Sequence, residues 1–381
     1  MSKINVRSPY FITDNSVTVF PGGSSPLASA TLFLRIYEGN ATTNYTSQPT
    51  YSLSATAIDG AVTFEVSELV RDYIENNFDG NYTDGTKWLN YNISRTYVNT
   101  SVAVTTQQNL AIFDGYGYFE DGANPQNDSV VLQSNDLIYT NDYANITIPV
   151  HVTENTDVTY FKDNEIIFQK ILESSNNSDD IIQYVSNSAL DSDAFYSRVI
   201  RDGGTIEAFS CVKDIANDFY ADFDADKIQI SNSSGTDIIT IQEIEECKFS
   251  PYKITFVNKF GALQDLWFFK RSNLSMQTTE ESYKANIVSG GTYSINSRQK
   301  TVFDKKGVER LQLNTGFYPE SYNEVFRQLS LSEELWITYG NNVLPVTLLS
   351  SELLYKTSLN DKLINYTMDV EFAFNKINNI R

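Results

Sequence analysis

The chain has 381 residues, 41% of them hydrophobic and 13% aromatic, which is long enough for two or three domains with separate cores. Its net charge of −20 disfavours a protein that binds nucleic acid through phosphates, because that binding needs clustered Lys and Arg. Residues 1–250 contain 13 Lys and Arg against 35 Asp and Glu, whereas residues 251–381 contain 15 against 13. This break indicates separate domains, and a solvated acidic surface would explain the excess equally well.

The first segment, residues 1–130, predicts a β-sandwich-like domain with one helix. Predicted strands cover residues 8–13, 16–20, 31–37, 51–58, 61–66 and 88–104, with a tight turn at Asp59-Gly60. The helix is predicted over residues 67–77, where Ser67 can cap it and Leu69, Val70 and Tyr73 share one face.

A loop rich in Gly and aromatic residues, at residues 115–125, ends this segment. Tyr116, Tyr118 and Phe119 lie in it. Because an aromatic face buries a large area at low entropic cost, these three residues are candidates for binding a partner or a sugar. They would serve equally well as a cover for the edge of the sandwich.

Residues 131–250 predict an acidic β-rich domain made of short strands, at residues 146–152, 157–161, 165–171, 195–200, 205–211, 227–230 and 237–241. The run 222–226 starts like a calcium loop, but Lys227 and Ser233 occupy the positions that need Gly and Glu, so we expect a solvated acidic turn and no metal site. Cys211 and Cys247 have no CxxC partner, which favours two reduced thiols over a single disulfide.

Residues 251–381 predict a C-terminal domain, α+β or barrel-like. It opens with a hairpin at residues 252–271 that turns at Gly261. Further strands are predicted at residues 282–286, 292–296, 299–302, 309–314, 335–339, 343–349, 352–357 and 366–374, with a turn at residues 305–307 and a helix at 320–329. Trp267, Phe268, Phe269 and Trp336 are the candidates to anchor the core of this domain or a subunit interface. The fold class as a whole is mainly β with few short helices.

No sequence signature of catalysis is present. His151 is the single histidine, it lies in an alternating strand, and no nucleophile motif accompanies it. No glycine-rich phosphate-binding motif is present either. We therefore expect no catalytic residues, no cofactor, no membrane segment and no direct nucleic-acid binding.

Several stretches of the C-terminal third resemble tail and baseplate structural proteins of tailed phages that infect Bacteroidota, flavobacteria among them. The resemblance is carried by residues 256–271, 283–286, 313–316, 329–336, 343–346, 355–357, 360–367, 371–374 and 377–381. These motifs mark a fold. They imply a non-enzymatic virion protein, made in the host cytoplasm, that assembles as a homo-oligomer and with other tail or baseplate proteins.

Two alternatives remain open beside this assembly role. One is a glycan- or receptor-binding module on a tail tip or cell surface, with Tyr116, Tyr118 and Phe119 as the stacking residues. The other is an enzyme that degrades surface polysaccharide through paired carboxylates.

Overall fold

The structure is a computed structural model that describes residues 3–20, 23–38, 49–83, 86–99, 105–126, 129–143, 145–174, 181–187, 225–349 and 363–377, together with the backbone of 196–200 and 206–210. The predicted mainly-β class is confirmed, since the described residues form 26 strands and only two α-helices. The chain divides into two compact units: unit 1 is Met1–Ile244 with Phe256–Asp265, and unit 2 is Glu245–Thr255 with Leu266–Arg381. The division at residues 130 and 250 predicted from the sequence stays a prediction.

The first half of unit 1 contains β1 (Lys3–Asn5), β2 (Phe11–Asp14), β3 (Val17–Phe20), β4 (Gly23–Tyr37), β5 (Tyr51–Thr56), β6 (Val62–Glu65), α1 (Ser67–Arg71), β7 (Lys87–Tyr97), β8 (Thr105–Phe113) and a 3-10 turn at Phe119–Asp121. One sheet has the order β1-β8-β7-β4-β3, and β5 also pairs with β4. The β2–β6 ribbon contributes Ile12 and Phe64 to the same core as Leu32 and Leu34 of the sheet. The two layers therefore bury a common apolar face.

Two predictions for this region need correction. The helix expected over residues 67–77 ends at Arg71, and Ser67 does not cap it, because its hydroxyl donates to the carboxylate of Glu65. Further along, the side-chain amide of Asn76 donates to Asp114 Oδ2 at 2.8 Å, which ties the segment after the helix to the end of β8. At Asp59-Gly60 the turn is present, but β5 and β6 then join different sheets.

The second half of unit 1 contains β9 (Leu137–Thr140), β10 (Thr147–His151), β11 (Thr156–Lys162), β12 (Glu165–Leu172), β13 (Ile182–Ser186), β14 (Tyr196–Ile200), β15 (Ile206–Ser210), β16 (Lys227–Asn232) and β17 (Gly235–Glu243). A five-stranded sheet has the order β12-β11-β16-β17-β9, and β10 pairs with β13. Ile148 and Val185 of that pair share a core with Val158 and Ile230 of the sheet. The β10–β13 pair and the five-stranded sheet therefore form two layers around one apolar core.

The tip of the predicted hairpin belongs to unit 1. Asn258, fully buried, donates through Nδ2 to the carbonyl of Leu132 at 2.7 Å and accepts at Oδ1 from the backbone N–H groups of Phe260 and Ala262 at 3.0 and 3.2 Å. Gly261 turns the chain with φ of 79°, as predicted. Phe260 and Ala262 then pack with Trp88 in a third apolar cluster. The tip is therefore a structural part of unit 1.

The last elements of the chain are β18 (Tyr252–Val257), β19 (Leu263–Phe268), β20 (Lys270–Lys284), β21 (Lys300–Asn314), β22 (Tyr318–Pro319), a 3-10 turn at Glu320–Tyr322, α2 (Asn323–Leu331), β23 (Leu335–Tyr339), β24 (Asn342–Leu348), β25 (Leu363–Ile364) and β26 (Thr367–Phe372). Unit 2 is built on a seven-stranded sheet with the order β19-β18-β23-β24-β26-β21-β20. Val325, Phe326 and Leu329 of α2 are buried, as the predicted apolar face of the helix requires. The strand predicted at 352–357 lies outside the described residues.

The turn predicted at residues 305–307 is wrong. Those residues lie within β21, where Lys305, Lys306 and Gly307 pair with Glu280, Thr279 and Thr278 of β20. The strands predicted at 282–286 and 299–302 are parts of two longer strands of fifteen residues each. We call this long hairpin, residues 270–314, the arm.

Candidate functional site

The arm extends beyond the sheet that carries it. Near its base β21 pairs with both β20 and β26, over Arg310–Asn314 on the β26 side. The last neighbour is Lys376, whose backbone N–H donates to the carbonyl of Gly307 at 2.7 Å. Among the described residues, no residue outside the arm forms a strand pair with the part of the arm beyond Gly307. We call this outer part, residues 278–306, the distal ribbon.

The end of the distal ribbon is a tight turn. Ser289 and Thr292 exchange backbone hydrogen bonds of 2.9 and 3.2 Å, and the two residues between them, Gly290 and Gly291, have φ of 61° and 80°. Positive φ at both central positions is what a type I′ turn needs, and that turn suits the twist of a two-stranded hairpin. At about 3.3 Å per residue, the strand from 278 to 284 alone spans about 23 Å.

Large apolar side chains are exposed on the distal ribbon. Ile295 is 90% exposed and Phe303 63% exposed. The rings of Tyr283 and Phe303 lie against each other with centroids 6.2 Å apart. The exposed large apolar residues of the distal ribbon are Tyr283, Val288, Tyr293, Ile295, Val302 and Phe303. Such a concentration on one small element is typical of interaction surfaces.

Ion pairs on the arm are exposed and weak. Lys300 and Lys305 both approach Glu280, at 3.3 and 4.0 Å, and Lys306 lies 3.1 Å from Asp304. Exposed pairs of this kind contribute about 0–1 kcal/mol each. The two pairs with Glu280 join β20 to β21, whereas Lys306 and Asp304 both belong to β21. All three pairs leave the apolar side chains uncovered.

The four predicted anchor residues lie in the core of unit 2. Trp267, Phe268, Phe269 and Trp336 are each at most 8% exposed. The ring of Phe269 stacks with Trp267 at 6.3 Å and lies 6.4 Å from Tyr318. Of the two roles that the sequence left open, the structure places these side chains in a core. An interface role for them would require the core to open.

The three predicted surface-binding residues differ in exposure. Tyr116 is buried, with the Arg7 guanidinium 4.8 Å from its ring centre, so the expectation that it is exposed is wrong. Tyr118 is half-buried beside it, with Lys259 5.3 Å from its ring centre. Phe119 is fully exposed. Two of the three residues thus remain accessible.

An open cavity of about 680 Å³ lies beside His151 and Asp237 in unit 1. Burial lowers the pKa of His151 to about 3, and the positive charge of Lys3 acts in the same direction. The imidazole is therefore neutral at physiological pH, and it packs edge-on against Phe113 with ring centres 5.9 Å apart. The carboxylate of Asp237 accepts from the Val131 backbone N–H at 3.2 Å. These contacts give both side chains a structural role.

In the described part of the chain, no group of three or more His, Cys, Asp and Glu side chains is placed to hold a metal ion. Asp222 and Asp224 of the weak calcium pattern lie outside that part. Cys247 is a free, exposed thiol, while Cys211 lies outside the described residues. Among the described residues, no helix is long and apolar enough to cross a membrane.

No protein-family model matches the chain, and no curated protein sequence matches it. The arm did not follow from the patterns used to predict the strands of the C-terminal third. The signal that could have found it is Gly290-Gly291, a dipeptide typical of two-residue hairpin turns, between two polar runs rich in Thr and Ser.

Proposed function

We propose that this chain is a non-enzymatic structural subunit of a phage tail or baseplate, which assembles through protein–protein interfaces. The observation that carries the proposal is the distal ribbon, an exposed two-stranded element with a concentration of uncovered apolar side chains. An assembly subunit needs such a surface, because burying apolar area drives association. The assignment to a tail rests on the resemblance of the C-terminal third.

The sheet order of unit 2 supports an attachment role for the arm. β21 is the inner strand of the arm and is held in the sheet by β26, whereas β20 is the outermost strand. The arm is therefore rooted in a buried core, at Leu311 and Leu313, while its outer edge is open. An open strand edge can pair with a strand of another chain.

Labelling of assembled particles tests the proposed function. Antibodies raised against the purified protein are applied to particles of the phage that encodes it, and mass spectrometry measures the protein in the same particles. We expect gold label at the tail or baseplate and a fixed copy number per particle. Particles without the protein, tested with an antibody that recognises the purified chain, would overturn the proposal.

A second candidate is binding of a glycan or receptor, favoured by the full exposure of Phe119 next to Tyr118. An aromatic ring in this position can stack on a sugar. Glycan-array binding by the wild-type protein that is lost in Tyr118→Ala and Phe119→Ala would support it. Tyr116 is not a suitable target, because its replacement would disturb a buried contact with Arg7.

A further inference from the structure

The distal ribbon requires a covering partner for its stability as well as for its apolar side chains. An isolated two-stranded hairpin is marginally stable in water, and three or more strands or a packed face are needed for independent stability. In the described residues, the ribbon has no third strand between Thr278 and Lys306. Both of its edges present backbone N–H and C=O groups that another surface can satisfy.

Charge indicates which partner this is. The distal ribbon contains five Lys and Arg against three Asp and Glu, a net charge of +2 in a chain whose total is −20. Unit 1 contains 13 Lys and Arg against 34 Asp and Glu, a net charge of −21. Two ribbons repel each other, whereas the ribbon of one copy and unit 1 of another attract, and like charges across an interface are unfavourable.

We propose that the distal ribbon docks on the acidic unit 1 of a second copy of this chain. The inference rests on the proposed assembly role and specifies its partner. Tyr283 and Phe303 provide the apolar contact, and Lys284 and Arg298, both exposed, provide the charge that selects the acidic surface. Because each copy has one ribbon and one unit 1, copies can join head to tail in a ring or an open chain, or in a closed dimer with two reciprocal contacts.

Removal of the distal ribbon gives the first test. Gln277 and Val308 face each other in register, so residues 278–307 can be replaced by an Asn-Gly turn that keeps the base of the arm. Sedimentation velocity of the full chain at rising concentration is expected to show dimers or larger oligomers, and the shortened chain should remain a monomer. A wild-type chain that remains monomeric throughout overturns the inference, as does a shortened chain that still assembles.

Mixing separates arm-to-unit-1 docking from arm-to-arm pairing. The shortened chain keeps unit 1 but lacks the ribbon. If ribbons dock on unit 1, labelled shortened chain should sediment with wild-type chain and cap its oligomers. If ribbons pair with each other, the shortened chain should sediment alone, and the inference is overturned.

Point variants test which side chains act. Tyr283→Ser with Phe303→Ser is expected to weaken self-association at least about tenfold, since buried aromatic residues dominate interface energetics. Lys284→Glu with Arg298→Glu should do the same, and the wild-type association should weaken as salt rises. The matched control is Lys248→Glu with Arg271→Glu, two exposed cations of unit 2 outside the distal ribbon. Equal effects of the test and control charge variants would overturn the role of the ribbon.

A failure of this docking inference can be distinguished from a failure of the proposed function. If the purified chain stays monomeric but antibodies label tails, the chain is a tail protein whose ribbon binds a different subunit. If the chain self-associates but no particle contains it, the inference stands and the tail assignment fails.

Discussion

Gly261→Ala is expected to destabilise unit 1 through the tip of the hairpin. With φ of 79°, Gly261 lies in the left-handed region, where a side chain is unfavourable. A Cβ there would also lie 2.9 Å from the backbone nitrogen of Asp114, 3.0 Å from that of Gly115 and 3.0 Å from Cβ of Phe113. The substitution therefore combines backbone strain with a clash against atoms that cannot rotate away.

The two contributions can be separated with Gly60→Ala. Gly60 also belongs to unit 1 and has φ of 80°, but its Cβ would meet only Cβ of Pro26, at an ordinary contact distance of 3.7 Å. We expect Gly60→Ala to lower the free energy of unfolding by about 1–2 kcal/mol, from the positive φ alone. Gly261→Ala should lose about 1–3 kcal/mol more, which is the usual range for overpacking.

Thermal unfolding followed by circular dichroism measures the difference. For a unit of this size, 1 kcal/mol corresponds to a shift of about 2–4 °C in Tm, so the Gly261→Ala variant should melt several degrees below Gly60→Ala. Equal melting temperatures for the two variants would show that the tip is not packed as described.

Three further expectations concern buried or exposed single residues. Asn258→Ala should lower the free energy of unfolding by about 3 kcal/mol or more, because buried backbone groups lose their partners; a loss below about 1 kcal/mol in urea unfolding would contradict this. The pKa of His151 is about 3 in the folded chain and about 6.5 in the unfolded chain. The contribution of this neutral imidazole to the free energy of unfolding is therefore complete above pH 6.5, and it falls by about 1.4 kcal/mol for each pH unit below 6.5. His151→Gln should flatten this part of the pH profile of urea unfolding, and an unchanged slope would refute the assignment. Cys247 should react with a maleimide in the native protein, and peptide mapping that finds it unmodified without denaturant would contradict its exposure.

Local patterns in the sequence were sufficient for much of the fold. In unit 1, β10, β11, β12 and β17 lie within a few residues of their predicted ranges, because each is a short run rich in β-branched or aromatic residues. The turn at Gly261 was also predictable, since only glycine adopts that backbone without strain. The burial of the tip within unit 1 was not predictable, because it depends on Asn258 meeting Leu132, far away in the chain.

The candidate site was missed for a related physical reason. The strands of the distal ribbon have no buried face, so they lack the alternation that identifies a half-buried strand. Lys305-Lys306-Gly307 has the composition of a turn, yet pairing with β20 keeps it extended. Burial of Tyr116 likewise depends on Arg7, a residue more than a hundred positions away.

Hydrogen exchange of the distal ribbon tests the central claim, that this ribbon is the assembly surface, most directly. Amide exchange is measured by mass spectrometry on the full chain, first when dilute and then at the highest concentration reached. We expect fast exchange over residues 278–306 in dilute protein, because both edges of the ribbon are open. Assembly should slow it there and at a surface of unit 1. Oligomers in which residues 278–306 still exchange as fast as in the dilute protein would contradict the account.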